Sequence, residues 1–233
     1  MQLSSNEVHI WSANLAISST KENELRGYLS IEEQLRAERL HFSHHKTRFI
    51  AGRGFLRQLL GWYLNVAPAT IVFTYSLHQK PSIVAPQNCS IQFNVAHSHD
   101  QALYAITLHY PLGIDVEKFQ DNYNRAVAER YFNSEEKQML FHLPHEQQAH
   151  AFYRLWARKE SLVKAIGEGL KIPLNSFSVL TNQLQIDQDT WSIQSLNLFT
   201  DYASAITTQL PAPILTYYRF LPDGYQIINP SEN

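Results

Sequence analysis

The stretch from His145 to Ile166 contains neither glycine nor proline, and it constrains the fold more than any other part of the chain. Phe152, Leu155, Trp156, Leu162, Val163 and Ile166 fall at helix-compatible spacings. Gly167 and Gly169 then stop the pattern. A helix of this length needs a partner for its apolar stripe, so the rest of the chain must supply a surface for it to pack on. A second stripe runs along it. Trp156, Glu160 and Lys164 are successive i, i+4 neighbours, which sets Glu160 beside Lys164. Such a pair standing alone is an ordinary surface pair worth about 0.3–0.5 kcal/mol.

Its weight comes from a second block some forty residues upstream, Gly113-Ile114-Asp115-Val116-Glu117. Positions i and i+2 of an extended strand share a face, so Asp115 and Glu117 point the same way. Hard carboxylate oxygens suit Mg²⁺, which takes one or two of them and completes its shell with water and substrate phosphate. By itself the alternation is also the pattern of an edge strand with a solvated acidic face. Three acids and a lysine in two regular segments point to a metal bound to a phosphate.

The two blocks together, G-I-D-V-E followed by F-Y-x-L-W-x-x-K-E-S-x-x-K-A-x-G-x-G-L, resemble the 4'-phosphopantetheinyl transferases of the Sfp type, including the animal members that serve several carrier proteins. The resemblance continues upstream in Gly52-Arg53-Gly54-Phe55-Leu56-Arg57, in Gln79-Lys80-Pro81 and in Phe93-Asn94-Val95-Ala96-His97-Ser98, and covers the chain from about Arg36 to Phe177. Ala96 departs from the family pattern, in which a serine precedes the histidine. The expected consequence is the loss of one hydroxyl contact near the nucleotide, with binding retained.

The resemblance implies two similar α/β halves related by a pseudo-twofold, with the ligand in the cleft between them and one chain forming both sides as a monomer. The residues alone predict an α+β chain, because each part runs from helix into strands. Tyr110-Pro111-Leu112 breaks the pattern between them, giving an N-terminal half over 1–110 and a C-terminal half over 111–233. Ser30-Ile31-Glu32-Glu33 is a capping-box signature for a helix start. A further helix is predicted over His45–Tyr63, with Ile50, Leu56, Leu59 and Leu60 inward, and shorter ones near Asn124–Tyr131 and Ser134–His142. Strands are predicted at Ile71–Tyr75, Ile91–Asn94, Ala102–Thr107, Phe177–Leu180, Trp191–Asn197, Ala203–Thr207 and Ile214–Phe220.

The resemblance also implies roles. Coenzyme A would be the co-substrate, its pyrophosphate bridged by Mg²⁺ on Asp115 and Glu160, with Glu117 a third ligand or the partner of a metal-bound water. Lys164 would contact the pyrophosphate and stabilise the departing 3',5'-adenosine bisphosphate. The acceptor would be a serine hydroxyl on an acyl or peptidyl carrier protein, with Glu160 as general base and Glu117 as the alternative. Arg53 would anchor the 3'-phosphate, with Arg48 a further candidate and Arg57 either a second anchor or a structural ion-pair residue. His97 would contact the same phosphate, while Lys80 and the backbone at Gln79 and Pro81 would frame the adenine. Lys159, on another face of the helix, is a weaker phosphate candidate.

Charge agrees with a small polyanionic ligand. The net charge is only -2, against a nucleic-acid-tracking surface, yet Arg36, Arg39, Lys46, Arg48, Arg53 and Arg57 face a single acid, Glu38, between Arg36 and Arg57. Hydrophobic residues at 44% suffice for a core. The one cysteine, Cys89, allows no internal disulfide, and no apolar run approaches a membrane span; a cytoplasmic protein is expected. The eleven histidines show no H-E-x-x-H or cysteine-pair spacing, so zinc is not expected. Two other readings are an inert carrier-protein-binding relative and a different Mg²⁺-dependent nucleotide enzyme. The first is opposed by the presence of all four acidic and basic residues, the second by the absence of a P-loop.

Overall fold

The computed structural model describes residues 1–77, 80–87, 89–167 and 173–229. The chain enters through β1 (Glu7–Asn14), α1 (Ser19–Arg26), α2 (Ile31–Glu38) and α3 (Ser43–Leu64), then forms β2 (Val72–Tyr75), β3 (Pro81–Ala85), β4 (Ile91–Ser98) and β5 (Gln101–Leu108). After Pro111 come β6 (Leu112–Lys118), α4 (Arg125–Tyr131), α5 (Ser134–His142) and α6 (His145–Ile166). The last part is all strand: β7 (Gln183–Ile186), β8 (Asp189–Leu196), β9 (Tyr202–Thr208), β10 (Ile214–Leu221) and β11 (Gly224–Ile228). The chain is thus α+β, as expected. No described helix is long and apolar enough to cross a membrane.

The helix ends follow their local chemistry. Ser30 and Glu33 close a reciprocal capping box on α2, and Asn133 and Glu136 do the same on α5, satisfying N–H groups that have no intrahelical acceptor. The end of α6 is set by Gly167, which adopts the left-handed conformation at φ 77° and donates its N–H to Val163 O. Gly169, the second expected stop, lies outside the described residues.

Two sheets face each other. The first has the order β11-β10-β1-β5-β4, with β10 parallel to β1 and the other neighbours antiparallel. The second, β6-β9-β8-β7, is antiparallel throughout. Alternation along β1 sends Trp11 and Ala13 outward, to a core shared with Leu15 just beyond the strand and with Ile50, Leu56, Leu59 and Leu60 of α3. Val8 and Ile10 point the other way and meet Leu112, Ile114, Val116 and Ile206 of the second sheet. Phe152, Leu155 and Leu162 of α6, with Phe132 and Leu140, cover the outer side of the second sheet over Trp191 and Ile193.

The structure adds to the sequence expectations and overturns one of them. The division of the chain at residue 110 is not the division of its sheets, because the C-terminal β10 and β11 return to the first sheet beside β1. Residues Phe177–Leu180 are not a strand, although Phe177 and Val179 are buried; Arg158 and Lys159 take the carbonyls of Phe177 and Val179 that a neighbouring strand would otherwise use. The elements β1, α1, β3, β7 and β11 were not anticipated.

Candidate active site

Gly113 decides where α6 sits. A Cβ at this position would stand 2.1 Å from Ser161 O and 2.3 Å from Ala165 N, so the helix backbone rests directly on β6. Small residues continue the seam: Ala157 packs with Ala203 and Ala205 of β9, and the hydroxyls of Ser161 and Thr207 meet at 2.8 Å. Since Leu112, Ile114 and Val116 face the first sheet, Asp115 and Glu117 face the helix side. The two acids therefore share a face, and α6 brings Glu160 and Lys164 to it.

The Lys164 ammonium donates to Asp115 Oδ1 at 2.6 Å, with the Asp115 side chain 5% exposed and that of Lys164 31% exposed. Asp115 Oδ2 is buried without a hydrogen-bond partner among the described residues. Burial drives the Asp115 carboxyl above its usual range, and the lysine charge pulls it back. Burial and the charge of Asp115 raise Glu160 as well. The Glu117 carboxyl is pushed up to about 7, first by burial, then by the charges of Asp115 and Glu160.

A third element closes the site. β4 runs alongside the edge of β6 in the same direction, joined by side chains: Asn94 Oδ1 accepts from the Ile114 N–H at 3.0 Å, and Ser98 Oγ from the Lys118 N–H at 3.2 Å. The Ser98 hydroxyl lies 3.5 Å from Glu117 Oε2, to which it donates. His97 stands at this end of β4, and its imidazole is held below the ordinary histidine range by its surroundings and then by the charges of Lys164 and Arg48. Arg48 is tied to Asp100 at 2.7 Å. Ser98 and Asn94 were not singled out from the sequence, although both lie in the quoted Phe93–Ser98 segment.

The other sequence candidates sit elsewhere. Arg53 pairs with Glu33 at 3.3 Å, with its guanidinium over Phe73 and Tyr75. Arg57 is buried, bound to Glu33 at 2.6 Å and to Ile71 O at 2.8 Å, so of its two expected roles the structural one holds. Acids from outside the segment, Glu33 and Asp100, thus offset much of the basic surplus between Arg36 and Arg57. Lys159 is fully buried against Glu136 and cannot contact phosphate. Ala96 is buried in the apolar layer between the sheets. Pro81 opens β3, and the Lys80 ammonium donates to Lys164 O at 2.6 Å. Gln79 lies outside the described residues.

Three carboxylates with raised proton affinity, one carrying an orphaned buried oxygen, form a donor set that fits a hard divalent cation. Among the described residues no three histidine, cysteine or carboxylate groups converge tightly enough to hold a metal unaided.

Comparison with known proteins bears on the same segments. The profile of the 4'-phosphopantetheinyl transferase superfamily matches residues 111–209, from the strand of Asp115 and Glu117 through α6 to β9. The 4'-phosphopantetheinyl transferase HetI of Nostoc sp. is 37% identical over 173 residues, 73% of each chain. The transferase psf-1 of Bacillus pumilus is 30% identical over 81% of this chain and 82% of its own, and Sfp of Bacillus subtilis 31% over 71% and 72%. With relatives this similar over more than two thirds of both partners, and the matched segment centred on the acid face of β6 and its helix, the chain belongs to the 4'-phosphopantetheinyl transferase superfamily.

Proposed function

We propose that the chain transfers the 4'-phosphopantetheine group of coenzyme A to a serine hydroxyl of an acyl or peptidyl carrier protein, with release of 3',5'-adenosine bisphosphate. The observation that carries this reading is the buried Asp115–Lys164 pair, with its unpartnered Oδ2, where β4, β6 and α6 meet. Mg²⁺ would be held by Asp115 and Glu160, with Glu117 as third ligand or as partner to a bound water, and would neutralise charge on the leaving phosphate. Lys164, fixed by Asp115 and partly exposed, presents a positive charge to the departing bisphosphate.

Glu160 has no hydrogen bond or ion pair among the described residues, which leaves it available to take the serine proton. Glu117 is the alternative base, favoured by a carboxyl that titrates at about 7, near the pH at which a general base works best. His97 and Arg48, close enough for their charges to interact, would hold the 3'-phosphate. Arg53 would reach the same end only while sharing its charge with Glu33. The hairpin of β2 and β3, which carries Lys80 and Pro81, would border the adenine. The protein would act as a monomer, since one chain supplies all these elements, and its single cysteine fits a reducing cytoplasm.

Transfer of this type asks mainly for alignment and electrostatic stabilisation, so no nucleophilic side chain is required. The test is mass spectrometry of apo-carrier proteins incubated with coenzyme A, Mg²⁺ and the protein. The expected result is a gain of one phosphopantetheine mass on the carrier serine, absent with Asp115→Ala. No gain across a panel of acyl and peptidyl carriers would overturn the reading and favour an inert carrier-binding relative.

A further inference from the structure

Lys80 stands at the turn of the β2–β3 hairpin, yet its side chain belongs to two other elements. The ammonium donates to Lys164 O at 2.6 Å, to Ala165 O at 3.4 Å and to Leu112 O at 3.4 Å. An ammonium carries three N–H donors, and three carbonyls take them. Two of those carbonyls lie in the last turn of α6, where the oxygens have no intrahelical donor and the helix dipole favours a cation. The third belongs to the first residue of β6.

The stem of Lys80 also lies against the end of the helix. A Cβ on Gly167 would meet Lys80 Cδ at 3.5 Å and Nζ at 3.6 Å, which is ordinary contact. The turn that presents the side chain is closed by its own bonds, Ser76 N–H to Lys80 O at 3.0 Å and Lys80 N–H to Ser76 Oγ at 3.2 Å. Burial lowers the ammonium pKa to about 8, as expected for a cation held among carbonyls without a carboxylate counterion.

We propose that Lys80 is a positioning residue, an ammonium staple that fixes α6 against β6 and so sets the distance between Asp115 and Lys164. The staple joins Leu112, three residues before Asp115, to the backbone of Lys164 itself. Gly113 lets the two elements touch, and Lys80 stops them sliding along that contact. Turning the ammonium toward a nucleotide would strip two carbonyls at the end of α6 of their donor. The hairpin therefore serves the site from the side of the helix terminus, whatever its backbone offers the adenine.

The test uses the full chain with Lys80→Met and Lys80→Arg. Amide hydrogen exchange in residues 112–117 and 162–167 should quicken about tenfold in Lys80→Met, with the α3 core unchanged. In the carrier assay, kcat should fall about tenfold while KM for coenzyme A stays within about twofold, the signature of lost alignment rather than lost binding. Lys80→Arg, which restores a cation with several donors, should return kcat to within about threefold of the parent. Should Lys80→Met fail to fold, Lys80→Gln takes its place and is read by the same two criteria. Unchanged exchange in both segments, or a rise of about tenfold in KM with kcat kept, would overturn the proposal and make the side chain a nucleotide contact. The kinetic arm rests on the transferase reading. The exchange arm does not, so failure of the one is distinguishable from failure of the other.

Discussion

Helix α6 carries two lysine–carboxylate pairs five residues apart, and they are built to opposite rules. Lys159 and Glu136 meet at 2.9 Å with both side chains at 0% exposure. Every polar atom of that pair is answered: Lys159 also donates to Leu174 O and Phe177 O, while Glu136 accepts from the N–H groups of Val179 and Asn133. Lys164 and Asp115 meet at 2.6 Å, but one aspartate oxygen has no partner among the described residues and the lysine reaches solvent. Nearby stand two further carboxylates, Glu117 and Glu160, whose proton affinity is raised first by burial and then by the charge of Asp115. A matched pair locks the loop that follows the helix. An unmatched one leaves an aspartate oxygen unpartnered among the described residues and a lysine charge at the surface.

The comparison breaks most visibly at Lys159. Lys159→Met leaves the buried Glu136 charge without its counterion and should cost about 3–5 kcal/mol of stability in urea unfolding. Per-molecule transfer of the fraction still folded should be retained. A variant as stable as the parent would mean that the pair is not structural.

Asp115→Asn should do the reverse. Transfer should fall at least about a thousandfold, roughly 4 kcal/mol of transition-state stabilisation, with the melting temperature kept or raised because a costly buried carboxylate is gone. Activity within about tenfold of the parent would refute the division of labour between the two pairs.

Gly113→Ala sharpens the role of the seam beneath both pairs. Its methyl would collide with the backbone of Ser161 and Ala165, and the expected cost is about 3 kcal/mol, with transfer lost as α6 lifts from β6. Wild-type stability would show that the helix can shift freely.

The smallest effect concerns pH. The folded-state pKa of Glu117 lies above its unfolded value, so the stability this group contributes is full below about 4.5 and is lost as pH rises through about 7. Metal-free Glu117→Gln should flatten the stability profile across that window. An identical slope in parent and variant would contradict the raised pKa.

Much of this contrast was legible in the sequence, but only on one side. The bounds of α6 followed from its lack of glycine and proline, and the shared face of Asp115 and Glu117 from strand alternation. The capping box at Ser30 marks a helix start in the same local way, while the one at Asn133 was seen only in the structure. What was not legible depends on contacts between distant segments. Lys159 reads only as a weaker phosphate candidate on another helix face, and its structural role is hidden until Glu136 and the 174–177 carbonyls fold onto it. Phe177–Leu180 has the composition of a strand, but its backbone is claimed by Arg158 and Lys159. Arg57 and Arg53 look like a free basic turn of helix until Glu33 arrives from α2. The parallel return of β10 to β1 has no local signal, since long-range pairing is written in neither strand alone.

Isothermal titration of Mg²⁺ in the presence of coenzyme A, on the parent and on Asp115→Asn, tests the central claim most directly. The account predicts that the parent takes up one ion per chain and that the variant, folded and equally stable, takes up none. Equal uptake by both would contradict it.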